Sequence, residues 1–245
     1  MTKVGNVVVP TATATPARVR LFQPSQRPVQ RRESLETPWG KCTVSGRLGQ
    51  RHADLLEISL YVAEKKRSTD DGAMELLVDP AKIRRKMSDA QYSLSQIILL
   101  FSDLRTVTLE IRTQNLYCIG GVIDHIMISE ATRHNPLSKS ERHLWRVRLN
   151  KAFVYLLEND YRLFYDPGPL ARLKNGISQA VARHVITHKR SPAGGWKIDT
   201  LIVAVAGELK PAQLRSKRRE LRQDMKGLRN LGLIIEEDRV TKGGE

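Results

Sequence analysis

Residues 211–230 read PAQLRSKRRELRQDMKGLRN and combine an apolar stripe with a basic stripe. Four apolar residues recur at the spacing of one helix face, and they are Leu214, Leu221, Met225 and Leu228. Five basic residues recur at intervals of four and three on another face, and they are Arg215, Arg219, Arg222, Lys226 and Arg229. We therefore predict one long helix over residues 210–231, ended by Gly232, with its apolar side on a core and its basic side turned outward.

The basic charge of this segment is part of an excess that runs through the chain. The segment from Lys210 to Arg229 holds eight Lys or Arg and two acids, and the whole chain of 245 residues has a formal net charge of +15. Such an excess attracts polyanions and speeds their capture. DNA and RNA are the first candidate partners, and an anionic membrane surface is the next. A merely soluble or ribosome-associated basic protein could have the same total charge.

The second half of the chain surrounds this helix with a regular order of elements. Alternating residues predict strands over 145–149 and 161–166, and apolar periods predict helices over 177–189 and 198–205. Gly207 stands where the second of these helices would end. After the long helix, residues 233–235 and 239–241 would form a small β-ribbon.

The first half repeats this order at similar spacing. A strand is predicted over 39–45 and a helix over 50–67, and Asp79 followed by Pro80 indicates the start of a further helix. The next helix covers 92–105, and its apolar face would consist of Leu94, Ile97, Ile98, Phe101 and Leu104. A two-stranded ribbon follows over 106–129. Helices followed by a β-ribbon are the order of a winged helix, a helix-turn-helix variant.

We therefore predict an α+β protein with two tandem winged-helix domains and a disordered basic N-terminal tail. The domains would cover 36–130 and 142–245, joined by a polar linker over 129–141. The tail would cover 1–35, because this stretch is rich in Thr, Pro, Arg and Gln and has little hydrophobic period. It would be solvated, or it would contact DNA phosphates.

The basic helix is the strongest candidate for contact with duplex DNA. A major groove admits one helix, and Arg can donate two hydrogen bonds to guanine O6 and N7. The N-terminal part of such a helix usually meets the bases, so the base-contact candidates are Arg215, Arg218, Arg219 and Arg222. The phosphate-contact candidates are Lys217, Lys226 and Arg229. The alternative is a solvated basic face, which most charge runs form.

The corresponding helix of the first half carries less charge. Ser93, Ser95 and Gln96 could read base edges from this helix. The basic residues lie just upstream, where they could hold phosphates, and they are Lys82, Arg84, Arg85 and Lys86. The alternative is that this domain mainly packs or forms a homodimer, and the sequence leaves both interpretations open.

Enzymatic and metal-binding interpretations receive little support from the sequence. His184 and His188 have a metal-compatible spacing on one predicted helix, but no third ligand is evident and the H-E-x-x-H pattern is absent. The chain has neither the His-x-His pair common in nicking enzymes nor a G-x-x-x-x-G-K-[ST] phosphate loop. We therefore predict a non-enzymatic protein without a cofactor or a metal.

The cysteines and the N-terminus indicate a cytoplasmic protein. Cys42 and Cys118 give neither a disulfide framework nor a zinc-ligand cluster. The short apolar patch over 7–9 is broken by Pro10, so it is too short for a signal peptide or a membrane span.

The stretch over 144–235 resembles plasmid replication initiators of the RepC and TrfA type. The similarity lies in LWRVRLN (144–150), YRLFYD (161–166), ISQAVARHVITHK (177–189), WKIDTLIVAVAG (196–207) and LRSKRRELRQDMKGLRNLG (214–232), followed by LII. Its most specific part is the skeleton formed by IDTL, KRR and the following leucines. The first half matches only in the order of its elements.

The resemblance implies two winged-helix domains that bind direct repeats, called iterons, at a plasmid origin. It implies that binding helps to open the origin and to load a replicative helicase, with a host initiator as a further partner, and that the protein catalyses nothing itself. On the family pattern, Arg215, Lys217, Arg218, Arg219 and Arg222 lie on the second recognition helix. A winged-helix transcriptional regulator that binds a palindromic operator is the alternative, and a structural basic protein that binds by charge alone is the third possibility.

Overall fold

Two separate apolar cores organise the chain. The computed structural model describes residues 8–37, 40–87, 92–134 and 141–243. The larger core runs from Val9 to Leu157 along the sequence, and the smaller core runs from Leu170 to Val240. We call residues 8–158 the first unit and residues 168–243 the second unit. Both combine helices with small antiparallel sheets, which confirms the prediction of an α+β protein.

Residues 8–35 pack into the fold, which corrects the prediction of a disordered tail over 1–35 for this part of it. The segment forms β1 (Ala12–Thr13), α1 (Ala14–Arg18) and β2 (Arg31–Thr37), while residues 1–7 lie outside the described residues. Leu21 and Phe22 are buried in the larger core. Arg31 Nη2 donates to the carbonyl oxygens of Arg20 and Leu21 at 2.7 and 2.8 Å. The burial of Leu21 and Phe22 supplies the apolar contact that the local sequence period did not reveal.

Replacing Leu21 with alanine therefore tests whether this segment is part of the fold. Leu21 is 1% exposed, and truncating a buried leucine costs about 2–5 kcal/mol of unfolding free energy. We expect a loss in this range in urea unfolding monitored by circular dichroism. Val29, which is 67% exposed in the same segment, provides the matched control, and Val29→Ala should leave the stability unchanged. Equal stability of both variants would restore the interpretation of a solvated tail.

The first unit contains two four-stranded antiparallel sheets and, within its described residues, four helices in addition to α1. Its elements after β2 are β3 (Gly40–Gly46), α2 (Gln50–Val62), β4 (Lys65–Ser68), β5 (Met74–Val78), α3 (Pro80–Met87), α4 (Leu94–Thr106), β6 (Thr108–Arg112), β7 (Tyr117–Gly120), β8 (Ile123–His134), β9 (Glu141–Leu149) and α5 (Lys151–Glu158). The strand orders are β2-β3-β6-β7 and β4-β5-β9-β8. The helix predicted over 50–67 ends at Val62, because residues 65–68 pair with β5 as a strand.

The boundary between the units differs from the predicted linker over 129–141. Residues 129–134 belong to β8 and residue 141 begins β9, and the two strands pair with each other, while residues 135–140 of the predicted linker lie outside the described residues. Trp145 pairs with Val78 of β5, and Val147 and Leu149 are buried in the larger core. Helix α5 also packs into that core. The predicted domains over 36–130 and 142–245 are therefore corrected, because the pairing of β9 and the packing of α5 extend the first unit to Glu158.

The second unit begins after a short connecting strand. Its elements, with that strand first, are β10 (Arg162–Leu163), α6 (Gly168–Ala171), α7 (Gly176–Ile186), β11 (Trp196–Lys197), α8 (Ile198–Ala206), α9 (Pro211–Gln223), α10 (Met225–Asn230), β12 (Leu233–Glu236) and β13 (Arg239–Lys242). Strand β10 pairs with β1, and the last three strands form a sheet in the order β11-β13-β12. None of the helices in the described ranges is long and apolar enough to cross a membrane.

Candidate nucleic-acid interface

A tight turn between α8 and α9 presents the start of α9 to the surface. Gly207 ends α8 with a φ of +79°, as its position in the sequence predicted, and its backbone N–H donates to the Val203 oxygen at 2.8 Å. Pro211 starts α9, and the Lys210 N–H donates to Gln213 Oε1 at 3.0 Å. A proline at the first helical position loses no helix hydrogen bond. Residues 211–213, in the first turn of α9, are exposed.

The helix predicted over 210–231 is two helices, and its apolar stripe is interrupted. Asp224, between α9 and α10, is buried and accepts hydrogen bonds from the backbone N–H groups of Lys174 and Asn175 at 3.0 and 2.9 Å. Its φ of −100° and ψ of 10° shift the helical phase. Leu221 and Leu228 are buried as predicted, but Met225 is 39% exposed. The prediction of Met225 as a core residue is therefore wrong.

The basic face predicted for this segment is exposed. Five basic side chains of α9 and α10 face solvent, and they are Arg215, Arg219, Arg222, Lys226 and Arg229. On α9, a shallow depression is lined by Arg215, Arg218, Arg219, Arg222 and Gln223. Arg222 Nη2 donates to the backbone carbonyl oxygen of Glu237 at 3.3 Å. Glu237 lies in the turn between β12 and β13. The arginine face and the tip of the ribbon therefore adjoin.

Two basic residues of α9 are held by carboxylates. Arg218 donates from Nε and Nη2 to the two carboxylate oxygens of Asp199, at the start of α8. These hydrogen bonds lower the pKa of Asp199. Lys217 Nζ contacts Glu220 at 2.8 Å, one turn further along the same helix. Arg218 was predicted to contact bases, and it would have to leave Asp199 to do so. No local sequence pattern indicated the pair of Arg218 and Asp199, because the two residues are 19 positions apart.

The polar residues predicted on the first recognition helix bond to one another at its start. Ser93 Oγ accepts from the Gln96 N–H at 3.2 Å, and the Ser93 N–H donates to Gln96 Oε1 at 2.7 Å. Ser95 Oγ lies 2.8 Å from Ser93 Oγ. This reciprocal arrangement is a capping box, which satisfies N–H groups that the first helical turn leaves free. All three side chains are exposed, but much of their hydrogen-bonding capacity is used locally.

The open face of α4 is apolar instead. Leu94 and Ile98, which were predicted to be core residues, are exposed, and Leu99 is 62% exposed beside them. Ile97, Phe101 and Leu104 are buried as predicted. The five predicted apolar positions cover a wider arc of the helix surface than the part of α4 that packs against the core. The positions at the edge of this arc are therefore exposed to solvent.

The basic residues of α3 are divided between ion pairs and solvent. Lys82 Nζ lies 2.5 Å from Glu64 Oε1. Lys86 Nζ lies 2.6 Å from Asp166 Oδ2 and 4.9 Å from the centre of the Tyr61 ring. Arg84 and Arg85 are exposed. Of the four predicted phosphate contacts on α3, these two therefore have the more accessible charges.

The histidine pair packs against the N-terminal segment. The rings of His184 and His188 are 4.9 Å apart, and burial lowers the pKa of His184 to about 4. Arg18 lies close by, since its Nε donates to Thr187 Oγ1 at 3.0 Å. Within the described part of the chain, no group of three or more His, Cys, Asp or Glu could hold a metal ion. The pair serves packing in this arrangement.

Comparisons with known proteins give a likeness of fold. No protein-family model matches the sequence, and no curated protein sequence matches it. The chain is similar to a crystal structure of selenomethionine derivatives of domains 2 and 3 of RctB, with a TM-score of 0.55 and 13% sequence identity. The similarity covers 96% of each chain, so it includes both units and the segment that joins them.

Proposed function

We propose that the protein is a sequence-specific duplex-DNA-binding replication initiator. The observation that carries this proposal is the exposed arginine face of α9, which follows a tight helix–turn–helix and adjoins the tip of the β12–β13 ribbon. Arg215, Arg219 and Arg222 are the base-contact residues in this proposal, and Lys226 and Arg229 contact phosphates. One α-helix fits into the major groove of duplex DNA, so α9 would lie in the groove. The β12–β13 ribbon would then lie along the neighbouring DNA backbone.

The order of elements supports a winged-helix assignment for both units. In the second unit, α7, β11, α8 and α9 precede the β12–β13 ribbon, and β13 lies between the other two strands of the sheet. In the first unit, α2, α3 and α4 precede the hairpin of β6 and β7. The hairpin of the first unit is extended by β2 and β3 into a larger sheet. The first unit would therefore be a more elaborate version of the same design.

The initiator role is supported by the fold likeness and the sequence resemblance together. RctB is a replication initiator, and its domains 2 and 3 match both units of this chain in fold. The family resemblance of residues 144–235 adds iterons at a plasmid origin as the DNA target, with origin opening and helicase loading as the result of binding. We propose no catalytic step, cofactor or metal for this role. A replicative helicase and a host initiator are the protein partners that it implies.

The test is binding to the repeat-bearing DNA beside the gene, compared with scrambled DNA of the same composition. We expect a Kd in the range of about 10⁻⁸ to 10⁻¹¹ M for the native fragment, with a steep loss of affinity as salt rises, because phosphate contacts release counterions. The same gene with its native upstream DNA should also maintain a circle that otherwise does not replicate. Equal affinity for native and scrambled fragments would refute a sequence-specific initiator.

One observation favours a second candidate, a winged-helix transcriptional regulator on a palindromic operator. The exposed apolar side chains of α4, which are Leu94, Ile98 and Leu99, suit a homodimer through the first unit, and a dimer would match a two-fold symmetric site. A footprint over an inverted repeat, without replication of the circle, would favour the regulator. A footprint over tandem direct repeats would favour the initiator.

A further inference from the structure

A buried arginine joins the second unit to the first. Arg183 lies on α7 and is 5% exposed, and its side chain reaches α2 of the first unit. Its Nε and Nη2 donate to the two carboxylate oxygens of Glu57, both at 2.8 Å. Nη2 also donates to Asp54 Oδ1 at 2.6 Å, and Nη1 donates to Gln50 Oε1 at 2.7 Å. All three nitrogens of the guanidinium are therefore engaged across the boundary between the units.

The groups around Arg183 are also tied to both units. Gln179, one turn earlier on α7, donates to Asp54 Oδ2 at 3.0 Å. Its amide nitrogen also lies within hydrogen-bond distance of the Leu170 and Ala171 oxygens. Asp54, Glu57 and Gln179 are all buried. The cluster thus joins two helices through directional bonds between buried side chains.

A second connection runs through the N-terminal segment. Arg18, at the end of α1, donates from Nη2 to the backbone carbonyl oxygen of Thr187 at 2.8 Å. A few residues later, Leu21 is buried in the core of the first unit. The segment therefore contacts the second unit as well, and its contact through Thr187 lies at the C-terminal end of α7. The fully buried and charged contacts are those of Arg183.

Directional contacts of this kind specify one geometry more strictly than apolar packing does. An apolar interface can slide with a modest loss of contact, whereas a guanidinium fork fits its carboxylates in one orientation. A displaced fork would leave charges buried without partners, which is strongly unfavourable. The cluster therefore holds α2 and α7 at a single angle.

We propose that Arg183 is a positioning residue that fixes the angle between the two units and thereby sets the spacing of the DNA segments they contact. The inference rests on the proposed function. Arg84 and Arg85 of α3 belong to the first unit, and the arginine face of α9 belongs to the second. When the angle between the units is fixed, both surfaces can contact the same duplex only if the spacing of the two target segments places them at the matching rotation around the DNA axis.

The first experiment measures the joint without DNA. Spin labels are placed at Ser102→Cys on α4 and Ser216→Cys on α9, both exposed positions outside the contact residues, in a Cys118→Ser background. The distribution of distances between the two labels is recorded for the labelled protein that retains Arg183 and for its Arg183→Met and Arg183→Lys variants. We expect one narrow distribution for Arg183 and broader ones for both variants, because lysine keeps the charge but cannot form the fork. A narrow, unchanged distribution in a folded variant would overturn the proposal.

The second experiment measures spacing selectivity on DNA. Five base pairs, about half of a helical turn, are inserted between the segments that the two units protect. With Arg183, the insertion should weaken binding at least about tenfold, comparable to the loss of a base contact. With Arg183→Met, affinity for native spacing should fall and the penalty for the insertion should largely disappear. The same penalty in both proteins would overturn the proposal.

The two experiments separate this inference from the proposed function. If the protein with Arg183 binds scrambled DNA as well as native DNA, the proposed function fails. The label distances still decide whether Arg183 fixes the joint. If binding is specific but the label distances do not respond to Arg183, the inference fails and the proposed function stands. Arg183→Lys keeps the test informative if Arg183→Met does not fold.

Discussion

Replacing Arg219 with alanine will weaken binding to the native site by about 1–3 kcal/mol, roughly five- to 150-fold, if this residue reads a guanine. Its guanidinium is exposed on the face of α9 that lines the surface depression. The measurement is the Kd by fluorescence anisotropy on native and scrambled duplexes at one fixed salt concentration. The loss should be larger on the native duplex, because a base contact contributes nothing to binding of the wrong sequence.

Two further arginines provide matched controls for Arg219. Arg218→Ala should cost less, because Arg218 is already hydrogen-bonded to Asp199 and must break that pair to reach DNA. Arg105→Ala removes the same charge from the exposed end of α4 in the other unit and should change specific binding least. A similar loss for all three variants on both duplexes would mean that binding depends on total charge alone.

The second unit was the part of the fold that local sequence signals predicted well. Helices α7 and α8 and the β12–β13 ribbon lie within a few residues of their predicted ranges. These elements depend on short-range chemistry: a glycine with positive φ at Gly207, a proline that opens α9 and alternating apolar residues in the ribbon. Each of these signals acts within a few residues of the element that it terminates or starts.

The first unit was predicted less well because its determinants are distant in sequence. Ala12 pairs with Leu163, and Val78 pairs with Trp145. No local period records such pairing, so β9 was assigned to the wrong unit and the N-terminal segment was assigned to a tail. A buried segment can lack hydrophobic periodicity when only a few of its residues, such as Leu21 and Phe22, enter a core.

The sequence predicted which residues form the candidate interface, but it predicted only part of their arrangement in space. The exposed basic face follows from helical spacing, but the break at Asp224 depends on the backbone of Lys174 and Asn175, about 50 positions earlier. The Arg183 cluster was missed altogether. A signal for it existed: Gln179 and Arg183 stand one turn apart in ISQAVARHVI, among residues that are mostly apolar. Polar groups on the buried side of a helix require partners there.

Replacing Arg183 with methionine will lower the free energy of unfolding by about 3–5 kcal/mol at neutral pH. Methionine fills much of the space but leaves Asp54 and Glu57 buried without their counter-charge, and both lose hydrogen bonds from the guanidinium. Urea unfolding monitored by circular dichroism measures the loss. Arg105→Ala, at an exposed position, should show no comparable effect. An Arg183→Met protein as stable as the parent would mean that burial of this cluster contributes nothing to the joint between the units.

Asp54→Asn should be tolerated, and its effect should depend on pH. Burial raises the pKa of Asp54 from 3.8 to about 6, so the folded protein binds this proton more tightly than the unfolded chain does. The stability that Asp54 contributes therefore falls as pH rises from about 4 to about 6. Asparagine never ionises, so it has no such dependence on pH. The stability of Asp54→Asn relative to the parent should thus improve as pH rises through that window in urea unfolding. A difference that stays constant from pH 4 to 7 would mean that Asp54 titrates normally, and that the cluster holds two ordinary carboxylates against Arg183.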